Sequence, residues 1–163
     1  LGGIAKGYAI DQALAAMKNN GIGISLVNGG GDVAVGKAPP GRDHWRVQVF
    51  DGRRGTPRIL FLVEQAVATS GDLFQFVEVD GKRYSHLVDS RTGIGLTSFV
   101  SSTVIANDAT TADGWASAIA LVGAKEGLKL VAQISNCEAT IRIREGDSVK
   151  EHRTKGFPQM SEP

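Results

Sequence analysis

The chain has 163 residues, 42% hydrophobic and 21% charged, which suits one globular domain with a real core and excludes a disordered chain. A formal net charge of +1, with no cluster of Lys and Arg, leaves no electrostatic footprint for nucleic acid. No apolar run approaches the roughly 20 residues that cross a bilayer as a helix.

The chain opens at Leu1, without an initiator Met, and enters a helix at once. It reads as a fragment, with any signal or lipid-anchor sequence expected upstream, so localisation is left open here. Apolar residues at Ile4, Tyr8, Ala9, Ala13, Ala16 and Met17 predict a helix from about Ile4 to Asn19, stopped by Asn19-Asn20-Gly21. The segment "ISLVN" predicts a buried strand, followed by Gly29-Gly30-Gly31 and a second strand, "DVAVG". Pro39, Pro40 and Gly41 mark a loop; "HWRVQVF" alternates as a strand, "DGRRGTPR" is a loop, and "ILFLVE" a buried strand.

After "QAVATSG", which is given no element, a hairpin is predicted: "LFQFVEV", the turn Asp80-Gly81-Lys82, and "RYSHLVD". A further strand, "SFVSSTVIA", precedes a helix capped by Asp108 and ended by Gly123. A second helix over Ala124–Gln133, the strand "EATIRIR" and a hairpin through Glu145-Gly146-Asp147 lead to an irregular tail. Strands in hairpin-like runs, with helices between blocks, predict an α+β fold: a mixed or largely antiparallel sheet with flanking helices, in one domain over residues 1–163.

Four segments carry chemistry. Gly2, Gly3 and Gly7 surround Ile4 and Lys6 at the helix start, where bare backbone and the helix dipole favour phosphate; an ordinary Gly-rich turn is the alternative. In "NGGGD", Asn28–Asp32, a tight connection is favoured, with Asp32 accepting from loop amides. Thr69, Ser70, Gly71 and Asp72 place hydroxyls and a carboxylate at a strand end, and His86 is placed mid-strand between Tyr84 and Val88. A strand histidine is more often structural than catalytic, yet it is the side chain best suited to take a proton near neutral pH. Arg91 and Thr92 in "DSRTG" either bind phosphate or pin the loop.

In the fourth segment, Asp113 and Ser117 stand four apart on a helix and point the same way. Their oxygens suit Mg²⁺, the alternative being a hydrogen bond on a solvated face. His44 and His152 read as solvated or structural. The single Cys137 excludes an internal disulfide and reads as a buried thiol.

In order, "LGGIAKGYAIDQA", "LVNGGGD", "VATSGD", "DGKRYSHLVDSRTG" and "STVIANDATTADGWASAIALVG" closely resemble the ApbE family of FAD:protein FMN transferases. The resemblance implies a Mg²⁺-dependent enzyme that takes FAD as substrate and moves its FMN part onto a Ser or Thr hydroxyl of an acceptor flavoprotein subunit, with AMP leaving. It implies metal ligation by Asp113, Ser117 and the Gly3 carbonyl, FAD contacts at Gly3, Ile4, Lys6 and Val88, and His86 as the base.

Ser117 stands where the family most often has Thr, Ala116 where some members have an Asp, and Ser90 replaces a Pro. The resemblance also implies an upstream part that holds the ends of FAD, so this chain by itself is expected to bind FAD weakly. Location on the periplasmic face of the inner membrane, through an upstream lipid anchor, is implied too, with the cytoplasm as the alternative. An FAD pyrophosphatase and a non-catalytic flavin-binding module are the competing functions.

Overall fold

The computed structural model describes residues 2–50, 57–71 and 76–161. Asp72, the first residues of the expected hairpin strand (73–75) and most of the loop at 51–56 lie outside them.

The first helix, α1 (Ala5–Asn19), starts one residue after the position expected and ends at Asn19, with Asn20 as its C-cap before a positive-φ Gly21. Then come β1 (Leu26–Gly29), β2 (Asp32–Val35), β3 (Trp45–Val49), β4 (Arg58–Leu62) and β5 (Gln65–Gly71). Next are the short strands β6 (Phe76–Val79), β7 (Lys82–Ser85), β8 (Val88–Asp89) and β9 (Ile94–Gly95), and the long β10 (Val100–Ala106). The chain closes with α2 (Ala109–Val122), α3 (Ala124–Val131), β11 (Glu138–Glu145) and β12 (Ser148–Arg153).

The main sheet has six strands in the order β1-β2-β5-β10-β11-β12, and every neighbouring pair is antiparallel. The α+β expectation holds, at its antiparallel end. The segment left unassigned by sequence, "QAVATSG", is β5, deep in this sheet. Its alternation is masked because both faces are covered: Ala66 and Ala68 pack with α2 on one side, while Val67 joins Val47, Val49, Leu60 and Leu62 of the β3–β4 hairpin on the other.

On the helical side the sheet and α2 meet through small residues. Ala66, Ala68, Val104, Ala106 and Ala139 face Ala109, Ala112, Ala116 and Ile119, all buried. Asp108 caps α2 by accepting from Thr111 N at 2.7 Å, as expected, and Gly123 ends it at φ +89°.

One expectation is corrected. His86 is not mid-strand: β7 ends at Ser85 and β8 begins at Val88. Ser85 Oγ accepts from Leu87 N at 3.1 Å, a local side-chain bond that bends the chain out of its ladder. Ser85 N and Leu87 O then pair with Leu96, at 2.7 and 2.9 Å. The tail is irregular, as expected, and it is docked: Phe157 and Met160 are buried in the hairpin-side core, and Ser161 exchanges backbone hydrogen bonds with Ile59 at 2.9 and 3.0 Å.

Candidate functional site

The site is organised by the crossing of α1 and α2. Gly7 makes the crossing possible, since a Cβ there would lie 2.2 Å from Ala109 O. Each helix start leaves backbone N–H groups without intrahelical partners, and each helix here caps the other. Asp113 Oδ2, on α2, accepts from Gly7 N in the first turn of α1 at 2.9 Å. Asp11, on α1, accepts from Ala109 N at 2.7 Å and Thr110 N at 2.8 Å at the start of α2.

This reciprocal capping brings together residues more than a hundred positions apart. Ser117 lies one turn beyond Asp113, which is itself only 6% exposed. A Cβ on Gly3 would sit 3.9 Å from Ser117 Oγ, and Gly3 O is 4.0 Å from where a Cβ on Gly114 would be. Ile4 covers the same glycine, with Cγ2 3.2 Å from that point. Ser117 Oγ is also 3.2 Å from Ser70 Oγ at the end of β5. Ser102 Oγ, between Ser70 O (3.2 Å) and Ala116 O (2.5 Å), fixes the spacing of strand and helix.

Lys6 has a partner that spacing alone did not suggest. Its Nζ lies 2.7 Å from Asp32 Oδ2, and Asp32, 1% exposed, also accepts from Thr69 N at 3.2 Å. The loop amide expected to bond Asp32 goes elsewhere: Gly31 N donates to Asn28 Oδ1 at 2.9 Å. Burial pushes the Asp32 carboxyl above its ordinary value, outweighing the opposite pull of Lys6.

Asn28, Gly30, Gly31, Asp32, Thr69 and Gly71 line one cleft of about 530 Å³, together with residues of β3 and β10. The segments "NGGGD" and "ATSG" therefore open onto a common space, and Asn28–Asp32 is the tight connection expected: Gly29 pairs with Asp32, and Gly30 and Gly31 turn between them at φ +75° and +106°.

His86 and Val88 are exposed, on a segment anchored by Leu87, which belongs to the apolar cluster of Val100, Ala120, Ala124 and Ile141. The described contacts join neither to the Asp113–Ser117 group. In the following loop, Arg91 is held by Asp89 through Nε–H at 3.0 Å and Nη2–H at 2.7 Å; the guanidinium draws that carboxyl down to about 2. Ile94 N donates to Thr92 Oγ1 at 3.3 Å. Of the two readings of Arg91 and Thr92, pinning the loop is the one observed.

The remaining candidates are structural. His44 meets Phe61 edge-on, with ring centroids 4.5 Å apart, and His152 bonds Glu145 at 2.9 Å. Cys137 is buried, its thiol pushed up to about 11 chiefly by burial. Sequence reasoning missed Asp11 and the partnership of Ser70 with Ser117. Asp11 lies four residues after Gly7, and only the helix crossing gives it a role.

Gly3, Asp113 and Ser117 offer a carbonyl, a carboxylate and a hydroxyl. These are hard oxygen donors, the set that fits Mg²⁺ with most of its waters retained, without sulfur or imidazole. Among the described residues no group of three or more His, Cys, Asp and Glu gathers, so one carboxylate carries the charge here.

The antiparallel sheet and the two helices crossed on it define an α+β protein whose helix joint gathers hard oxygen donors. The profile of the ApbE family matches residues 1–141, and the chain belongs to that family. It is 30% identical over 158 residues to a FAD:protein FMN transferase of Vibrio cholerae serotype O1, across 94% of this chain and 47% of the relative.

Solved structures agree. The flavinyl transferase ApbE of Pseudomonas stutzeri, apo form, matches with a TM-score of 0.77 and 32% identity, over 94% of this chain and 48% of that one. The ApbE protein of Thermotoga maritima matches with a TM-score of 0.75 and 35% identity, over 92% and 50%. The chain spans about half the length of the relatives it matches.

Proposed function

We propose that this chain carries the metal and phosphate side of a FAD:protein FMN transferase, which moves FMN from FAD onto a Ser or Thr hydroxyl of an acceptor flavoprotein subunit. The observation that supports this best is the reciprocal capping of α1 and α2, which gathers Gly3, Asp113 and Ser117 beside the Lys6–Asp32 pair.

In this reading Gly3 O, Asp113 and Ser117 hold Mg²⁺, with Gly3, Ile4, Lys6 and Val88 against FAD. Mg²⁺ bound there supplies charge neutralisation on the pyrophosphate oxygens. Lys6 adds a positive charge beside them, and the Gly-rich turn presents N–H groups. A nitrogen of the His86 ring takes the proton of the acceptor hydroxyl as its oxygen bonds to the FMN phosphorus. The phosphorus–oxygen bond to AMP breaks, and AMP leaves with that electron pair. Export to the periplasmic face through a lipid anchor is part of the same proposal, and fractionation of cells making the natural protein tests it.

Incubation with FAD, Mg²⁺ and an acceptor subunit should give flavin fluorescence that stays on the acceptor through denaturing gels, with AMP in solution. His86→Ala is expected to lower transfer by about 10²–10⁴-fold. Asp113→Asn, which keeps an acceptor for Gly7 N, should lose Mg²⁺ dependence without unfolding. Free FMN in place of labelled acceptor would identify an FAD pyrophosphatase, and no turnover with any acceptor a flavin-binding module. Because the chain spans half of its relatives, FAD titrated into these 163 residues alone should bind weakly.

A further inference from the structure

A second cleft, of about 330 Å³, lies away from the α1–α2 crossing, between β4, β12 and the docked tail. Arg58, Glu151, Arg153, Phe157, Gln159 and Met160 line it. Two guanidinium groups from different elements share this one space. Arg58 is set before any ligand arrives: its Nη2–H donates to Met160 O at 2.7 Å, on a tail that Ser161 ties to Ile59.

The Nε of Arg58 is buried and has no hydrogen-bond partner. A buried donor left unpaired costs about 1–3 kcal/mol, more when charged, and calls for an acceptor. Arg153 stands across from it on the edge strand, opposite Thr140 in the ladder, with no side-chain partner among the described residues. The carboxylate in the lining, Glu151, is engaged sideways: it accepts from Thr140 Oγ1 at 3.3 Å and faces Arg142 in the register. The lining therefore carries excess positive charge, and the unsatisfied Nε of Arg58 is buried within it.

We propose that this cleft is a binding site for a phosphate group, clamped between Arg58 and Arg153, separate from the cleft that Asp32 lines. Phosphate offers several acceptor oxygens to guanidinium forks that are always charged. The Phe157 and Met160 side chains, buried behind it, keep water from competing on that side.

The Arg58 Nε–Hε signal in ¹⁵N-resolved NMR reads the site directly. Inorganic phosphate titrated at constant ionic strength should shift that signal saturably, and chloride should not. Arg153→Gln, an exposed position, should raise the phosphate midpoint about tenfold, the equivalent of one charge-assisted hydrogen bond. Lys6→Gln, which removes the charge paired with Asp32 of the other cleft, should leave the midpoint unchanged. No saturable shift, acetate acting as well as phosphate, an unaltered midpoint in Arg153→Gln, or loss of the shift in Lys6→Gln would each overturn the assignment.

Discussion

Ser117 shows how one residue depends on its neighbours. A serine on a helix turns its hydroxyl among rotamers that a threonine, branched at Cβ, largely excludes. Here Ser70 Oγ at 3.2 Å supplies the missing restraint, from the end of a strand whose distance to α2 is held by Ser102. Ser70 is thus a positioning residue for the proposed metal site, and partners that orient a ligand commonly matter by 10- to 100-fold in metal affinity. Ser70→Ala should weaken the Mg²⁺-induced rise in melting temperature, measured without FAD, by about tenfold in midpoint. Adding Ser117→Thr should restore it, because the branched side chain orients itself. A Ser70→Ala protein with the wild-type midpoint would remove Ser70 from the site. The pairing of Asp113 with Ser117 was legible, because a helix puts i and i+4 on one side. The Lys6–Asp32 pair was not, since it needs to be known that β2 runs beneath α1.

At the level of elements, the joint of α1 and α2 leaves little room for change. A methyl on Gly7 would meet Ala109 O at 2.2 Å and Thr110 Cα at 2.8 Å, both backbone atoms that no rotamer relieves. Gly7→Ala should therefore push the helices apart, costing about 1–3 kcal/mol in urea denaturation, and should uncouple Asp113 from its amide. Gly2→Ala is the control: nothing lies within 4 Å of that Cβ, and the change should fall within about 0.5 kcal/mol. Equal losses in both variants would mean that the crossing does not depend on the bare backbone of Gly7. Most elements could be read from period and punctuation, including both long helices and the Asp80-Gly81 turn, whose φ values of +51° and +72° suit a tight hairpin. Strand β5 escaped because a strand covered on both faces has no polar side to reveal its period. The break at His86 escaped because it follows from a serine hydroxyl bonding two residues on.

The molecule as a whole carries a conflict between stability and site chemistry that pH can expose. Asp32 is almost fully buried, and its carboxyl is raised in the folded state mainly by that burial. Below 3.8 it is protonated whether the chain is folded or not, and it imposes no charge penalty. As pH rises through 3.8 and then through the raised folded value, the unfolded chain ionises first, so stability falls across that window. Asp89 works the other way: held at about 2 by Arg91, it adds stability above 3.8 that is lost as pH falls toward 2, although its exposure keeps this contribution small. Lys6, its side chain 43% exposed, stays solvated if its partner is neutralised, and an Asn oxygen at position 32 can still accept from Thr69 N. Asp32→Asn should accordingly be at least as stable as the wild type at pH 7, with the difference shrinking as pH drops through the raised folded value toward 3.8. Thermal melts of both proteins from pH 3 to 8 measure this. A wild-type advantage that grew with pH would mean that the ion pair with Lys6 outweighs burial. If the melts follow the expected course, a buried carboxylate is kept at a cost in stability, and holding Lys6 against a residue that lines the cleft is the role that accounts for it.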